Sequence, residues 1–103
     1  MLVFDIETDN LYADVTVCHC LSYLDTDTGK LFQFGQTDVE QGVRQLYTAL
    51  VHGTKLCGHN VINYDLPVLS KLYDWFVITH EMHKDVIDTL VLSRLIYSSI
   101  ENQ

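Results

Sequence analysis

Apolar residues fill the first positions of the chain almost without a break, as Leu2-Val3-Phe4-Asp5-Ile6. A run of this length predicts a strand covered on both faces, interrupted by a single acid. Thr16 to Leu24 is rich in β-forming residues, Asp25-Thr26-Asp27-Thr28-Gly29 is a turn cluster, and alternation resumes over Lys30 to Phe34. Together they predict an antiparallel hairpin in which Gly29 supplies the positive φ. Val39, Val43, Leu46 and Leu50 then recur at helical spacing, with Thr37 or Asp38 as the N-cap and Gly53 as the stop. Lys55 to Gly58 predicts a brief strand, His59 to Tyr64 an Asn-rich loop, and Asp65-Leu66-Pro67 the start of a second helix with proline in its first turn. Leu66, Leu69 and Leu72 of that helix are expected to face the core. Phe76 to Thr79 is expected as a short strand or an extended connector, followed by a turn from His80 to Lys84. A last helix over Thr89 to Tyr97 starts at Asp88 and carries Leu90, Val91, Arg94 and Leu95 in register.

Strand, hairpin, helix, strand, helix, a further short strand and helix make an α/β layer architecture, in which an antiparallel hairpin precedes parallel strands joined by helical crossovers. Ribonuclease H-like folds have this outline: a mixed sheet with flanking helices. With 103 residues, 48% of them hydrophobic and 19% charged, the chain predicts one globular domain over residues 1–103. The net charge of −8 repels a phosphate backbone at long range and argues against simple electrostatic binding of nucleic acid. An acidic site that holds cations reverses that logic locally. Cys18, Cys20 and Cys57 are odd in number, and Cys18 and Cys20 fall on one face of a strand, so reduced thiols are expected. Met1 runs straight into the first strand without a basic leader, and no apolar run reaches membrane length, so a soluble, cytoplasmic protein with no membrane partner is expected.

Asp5 and Glu7 lie two apart, which in a strand puts both carboxylates on one face and Ile6 on the other. Such a pair repels itself unless a cation sits between, and hard ions such as magnesium favour these oxygens. A solvated pair at a frayed strand end is the plainer reading of the spacing alone. Asp65 begins a helix, where capping is the commoner role, although a carboxylate there also reaches the carboxyl ends of the strands, where open α/β sheets place ligands. His80, Glu81 and His83 would make a weak zinc candidate without a matching second pair. Tyr12, Tyr23, Phe32, Phe34, Tyr47 and Trp75 are expected mostly in packing and not in base stacking.

The Asp5-Ile6-Glu7-Thr8 start, the stretch from His59-Asn60 through Tyr64-Asp65 to Pro67 and Leu69, and Ile87-Asp88-Thr89-Leu90-Val91-Leu92-Ser93-Arg94-Leu95-Ile96 together resemble the N-terminal 3′→5′ proofreading exonuclease domain of bacteriophage family A DNA polymerases. The Asn-rich second motif is also similar to that of family B polymerases. The resemblance implies two divalent cations, magnesium or manganese, held by Asp5, Glu7 and Asp65. It implies that Thr8 and Asn60 lie against the 3′-terminal nucleotide of single-stranded DNA, and that in-line attack of water releases 5′-mononucleotides. Asp88 is expected to hold the start of its helix.

The family's third motif, a Tyr or His followed by a fourth metal-binding Asp, belongs well beyond Asp88, and these residues contain none. Tyr73-Asp74 and His83-Lys84-Asp85 precede Asp88 and do not substitute. The resemblance therefore implies a partial domain, nearly inactive alone: either a downstream exonuclease or polymerase polypeptide supplies the general base and fourth ligand, or the chain is a truncated gene product. An uncovered apolar face, prone to self-association, is expected where the final helices would pack. The alternative is a non-catalytic module of the same fold that binds a DNA polymerase or a DNA end.

Overall fold

The computed structural model describes residues 1–101. Strand β1 (Leu2–Thr8) alternates strictly: Leu2, Phe4 and Ile6 enter the core, and Val3, Asp5 and Glu7 face outward. The hairpin follows as β2 (Cys18–Asp25) and β3 (Leu31–Phe34), closed by Gly29 at φ 74°. Helix α1 (Val39–Val51) buries Val39, Gly42, Val43, Leu46 and Leu50 and ends before Gly53, at φ 85°. Asp38 occupies the cap position, but its carboxylate accepts from the Gly35 amide at 2.7 Å and makes no bond to the helix.

Beyond α1 come β4 (Leu56–Gly58), α2 (Leu66–Leu72), the four-residue α3 (His80–His83), β5 (Val86–Asp88) and α4 (Thr89–Glu101). Among the described residues the strands form one sheet in the order β3-β2-β1-β4-β5. Its hairpin side is antiparallel, and β1-β4 and β4-β5 are parallel, the mixed sheet expected from the element order. The core is Leu2, Phe4, Ile6, Leu21 and Tyr23 of the sheet packed against α1, with Leu66, Val68 and Leu69 of α2 and Phe76 completing it. Leu72 of α2 is half-buried at its margin. Tyr23 stacks on Phe32 at 4.7 Å, so these hairpin aromatics serve packing.

Three expectations need correction, and the choice left open for Phe76 to Thr79 is settled. The fifth strand is Val86–Asp88, where Val86 and Ile87 find ladder partners in Leu56 and Cys57, whereas Phe76 to Thr79 is an extended connector anchored by the buried Phe76 ring. The segment after β4 is not an open loop: Val61–Asp65 closes into a single π-helical turn entered through Asn60 at φ 62°. His80 to Lys84 holds a short helix capped by the Thr79 hydroxyl instead of a turn. The two neighbouring cysteines do not share a face, because a bulge opposite Glu7 and Thr8 pairs Cys20 with Glu7 on the open side while Cys18 is buried in the core. All three cysteines are free, and burial, with Cys20 nearby, pushes the Cys18 thiol up to about 11, which keeps it protonated and inert.

Val3, Leu24 and Leu31 are exposed on the sheet face away from α1, and Val91, Leu92, Leu95, Ile96 and Tyr97 are exposed along α4. Among the described residues nothing covers these apolar side chains. Among the described residues no helix is long and apolar enough to cross a membrane.

Candidate functional site

Two devices bring the second motif to the end of β1. Gly58 is the first: a Cβ there would run into the Val61 side chain and come within 2.9 Å of the Phe4 carbonyl, so only glycine lets β4 leave the sheet this close to β1. The left-handed Asn60 then turns the chain into Val61–Asp65, a conformation Asn tolerates better than most residues.

Asp88 is the second device. Buried at 4% exposure, its carboxylate accepts from the Leu90 and Val91 amides of α4 at 2.9 and 3.4 Å. It also accepts from the Asn60 and Ile62 amides at 2.9 and 3.0 Å, on either side of the entry to the π-turn. The expected helix cap is thus also a clamp on the second motif. Burial would raise its pKa, but the Ile62, Asn60, Leu90 and Val91 amides outweigh that and hold it below the ordinary carboxylate value.

Asp65, at the end of the π-turn, precedes α2 but does not cap it: its backbone is already helical, and its side chain makes no bond to the helix. Pro67, near the helix start, has no amide to be capped. The carboxyl is 4% exposed, and its pKa is pushed up to about 7, first by burial and second by the charge of Asp5, against a smaller lowering by the Ile6 amide. The β1-β4 ladder stops at Val3 and Cys57, so no strand of that ladder separates Asp65 from β1 at Ile6.

Asp5 and Glu7 are exposed on one face of β1, as their spacing predicts. None of the ion pairs among the described residues involves Asp5, Glu7 or Asp65. The donors are all carboxylate oxygens, and the Asp5 and Asp65 charges oppose each other with no protein cation between, so in kind the set fits a hard divalent ion. The fit in position is incomplete, because among the described residues no three His, Cys, Asp or Glu side chains are grouped as a metal cage. That applies equally to His80, Glu81 and His83. Asp5 thus lies near enough to Asp65 to raise its pKa, and Glu7 stands two residues further along β1.

Thr8 and Asn60 stand at the edge of this arrangement. The Thr8 hydroxyl lies 3.0 Å from the Asn10 carbonyl and contacts the Tyr64 hydroxyl, and the Asn60 amide is held by Asp88. Asp9 has a role that the sequence did not signal. It accepts from the Thr16 amide at 2.9 Å, the Thr16 hydroxyl and the Val17 amide at 3.1 Å, and these bonds lower its pKa to about 2. Asp9 thereby closes the loop from β1 to β2 beside the acids, through a contact seven residues apart that no local pattern shows.

Comparison with known proteins agrees with this architecture. DNA-directed DNA polymerases of Enterobacteria phage T3 and Escherichia phage T7 are 36% and 34% identical to it over 105 aligned positions that cover 99% of this chain. The chain spans about 15% of the length of these relatives. A family B DNA polymerase from the hyperthermophilic archaeon Pyrobaculum calidifontis superposes with a TM-score of 0.51 at 20% identity, over 69% of this chain and 10% of that one, a likeness of fold. The RNase H superfamily model matches residues 2–102, nearly the whole length, and the chain belongs to that superfamily.

Proposed function

We propose that these residues form the front part of a metal-dependent 3′→5′ exonuclease domain of the proofreading kind, acting on single-stranded 3′ ends of DNA beside a polymerase. The observation that carries this reading is Asp65: a buried carboxyl that caps no helix, has no cationic partner among the described residues and is pushed up to about 7 by burial and by Asp5. A fold keeps such a destabilising acid where something positive is meant to join it. Similarity to phage DNA polymerases over 99% of the chain supports DNA as the substrate, a polymerase as the neighbour and the host cytoplasm as the setting.

Asp5, Glu7 and Asp65 would hold two magnesium or manganese ions. The chemistry that such ions supply when bound is Lewis-acid polarisation of the phosphate and of the attacking water. Asp65, protonated near neutrality, gives up its proton on binding, so binding weakens as pH falls below about 7. Glu7, exposed one strand repeat beyond Asp5, is free to accept a hydrogen bond from the attacking water. Thr8 and Asn60 would lie against the terminal nucleotide. Local cations also offset the repulsion between the −8 chain and DNA. A general base and a fourth carboxylate are supplied from outside these residues, by a polypeptide that also covers the apolar faces of α4 and the sheet.

The test is release of mononucleotides from 3′-labelled single-stranded DNA with manganese. The 103-residue chain is expected to act barely above background, to gain at least about 100-fold with a polypeptide carrying the third motif, and to lose all release on Glu7→Ala. Release that survives Glu7→Ala, or no release with the completing polypeptide present, would favour the non-catalytic module instead.

A further inference from the structure

The acids of the site ride on separate elements, Asp5 and Glu7 on β1 and Asp65 on the π-turn, and the ladder that could tie them stops at Val3 and Cys57. A side-chain link takes over. Tyr64, immediately before Asp65, donates its hydroxyl to the Asn10 carbonyl at 2.7 Å. The same hydroxyl contacts Thr8, immediately after Glu7, whose own hydroxyl is 3.0 Å from that carbonyl. Two hydroxyl protons serve three contacts, so one hydroxyl donates to the carbonyl and the other donates to the first hydroxyl. Neither proton is left for a ligand.

We infer that Tyr64 is a positioning residue for the acid set: with Thr8 and Asn10 it latches the turn carrying Asp65 to the end of β1, one residue from Asp65 and one from Glu7. This rests on the proposed metal-binding reading of the acids. Asp88 holds the entry of the same turn through Asn60 and Ile62, so the latch fixes its other end. Thr8 then acts through its hydroxyl as part of the latch, and any contact it makes with a nucleotide uses the remaining lone pairs or its backbone.

Manganese titration of the 103-residue chain, read from the free-ion paramagnetic resonance signal, tests this alongside amide hydrogen exchange of the metal-free protein. Tyr64→Phe and Thr8→Val are expected to weaken manganese binding about tenfold, the usual effect of losing an outer partner of a ligand, and to speed exchange at residues 7–10 and 61–65. Thr8→Ser should behave as the parent protein. Tyr47→Phe, which deletes a tyrosine hydroxyl bonded to the Val77 carbonyl at 2.9 Å, controls for a merely structural loss and should leave manganese binding unchanged. Parent-like binding by Tyr64→Phe, or equal weakening by Tyr47→Phe, overturns the inference while the metal reading stands. An Asp5→Ala protein that binds manganese as the parent does overturns the metal reading and this inference with it.

Discussion

Asp65→Asn is expected to raise the stability of the metal-free protein at pH 8 while removing its affinity for divalent ions. The Asp65 carboxyl has its ordinary value of 3.8 in the unfolded chain and about 7 in the fold, where burial and then Asp5 disfavour the charge. A raised folded value means the fold binds the extra proton: this contribution is fully present below pH 3.8 and is lost as pH rises through about 7. Above that, ionised Asp65 costs the fold about 2–4 kcal/mol, a cost that a neutral amide of the same shape avoids. For a domain of this size the melting temperature should rise by about 8 °C or more at pH 8. The two proteins should converge near pH 4, where Asp65 is already neutral. Thermal melts at both pH values, with chelator present, provide the check. A variant less stable than the parent at pH 8 would mean that the buried carboxylate is satisfied by the fold and waits for no cation.

Asp88→Ala is expected to have the opposite sign and the larger structural effect. It removes acceptors from four amides at once, and among the described residues the Asn60 and Ile62 amides beside the left-handed turn have no other acceptor. Hydrogen bonds to a charged acceptor, together with amides left unpaired, put the loss at about 3–5 kcal/mol, readable as a lower urea midpoint. Asp88→Asn keeps one carbonyl acceptor without the charge and should fall between. Because the folded pKa of Asp88 is lowered, its contribution is present above the ordinary carboxylate value and is lost as pH falls through the lowered one. The parent protein should therefore lose this increment only in strong acid, and Asp88→Ala should show no such step. A urea midpoint unchanged by Asp88→Ala would remove the clamp from the account.

Periodicity made much of this legible in advance. The alternation Leu2, Phe4, Ile6 against Asp5 and Glu7 gave both the strand and the shared face of the acids, and Val39, Val43, Leu46 and Leu50 gave α1. Spacing failed where pairing decided the structure. Val86 and Ile87 are too short a run to announce a strand, and they become one because β4 offers a parallel edge. The π-turn depends on an Asn at positive φ and on amides captured by Asp88, 26 and 28 residues away in sequence. Cys18 and Cys20 parted because a bulge inserts His19 between two faces, a feature set by the partner strand. At the site, the types of residue were readable and their engagements were not. Thr8 is a hydroxyl in the sequence and a committed hydroxyl in the fold, and Asp65 reads as a helix cap until its backbone is seen to be helical already.

The most direct measurement is a crystal structure of the protein soaked in manganese at pH 8, with anomalous scattering recorded at the manganese edge. Ions touching carboxylate oxygens of Asp5, Glu7 and Asp65, with Glu7 drawn in to complete a group that the metal-free fold leaves open, are the predicted result. Anomalous density confined to other acids, with no ion at Asp65, would contradict it.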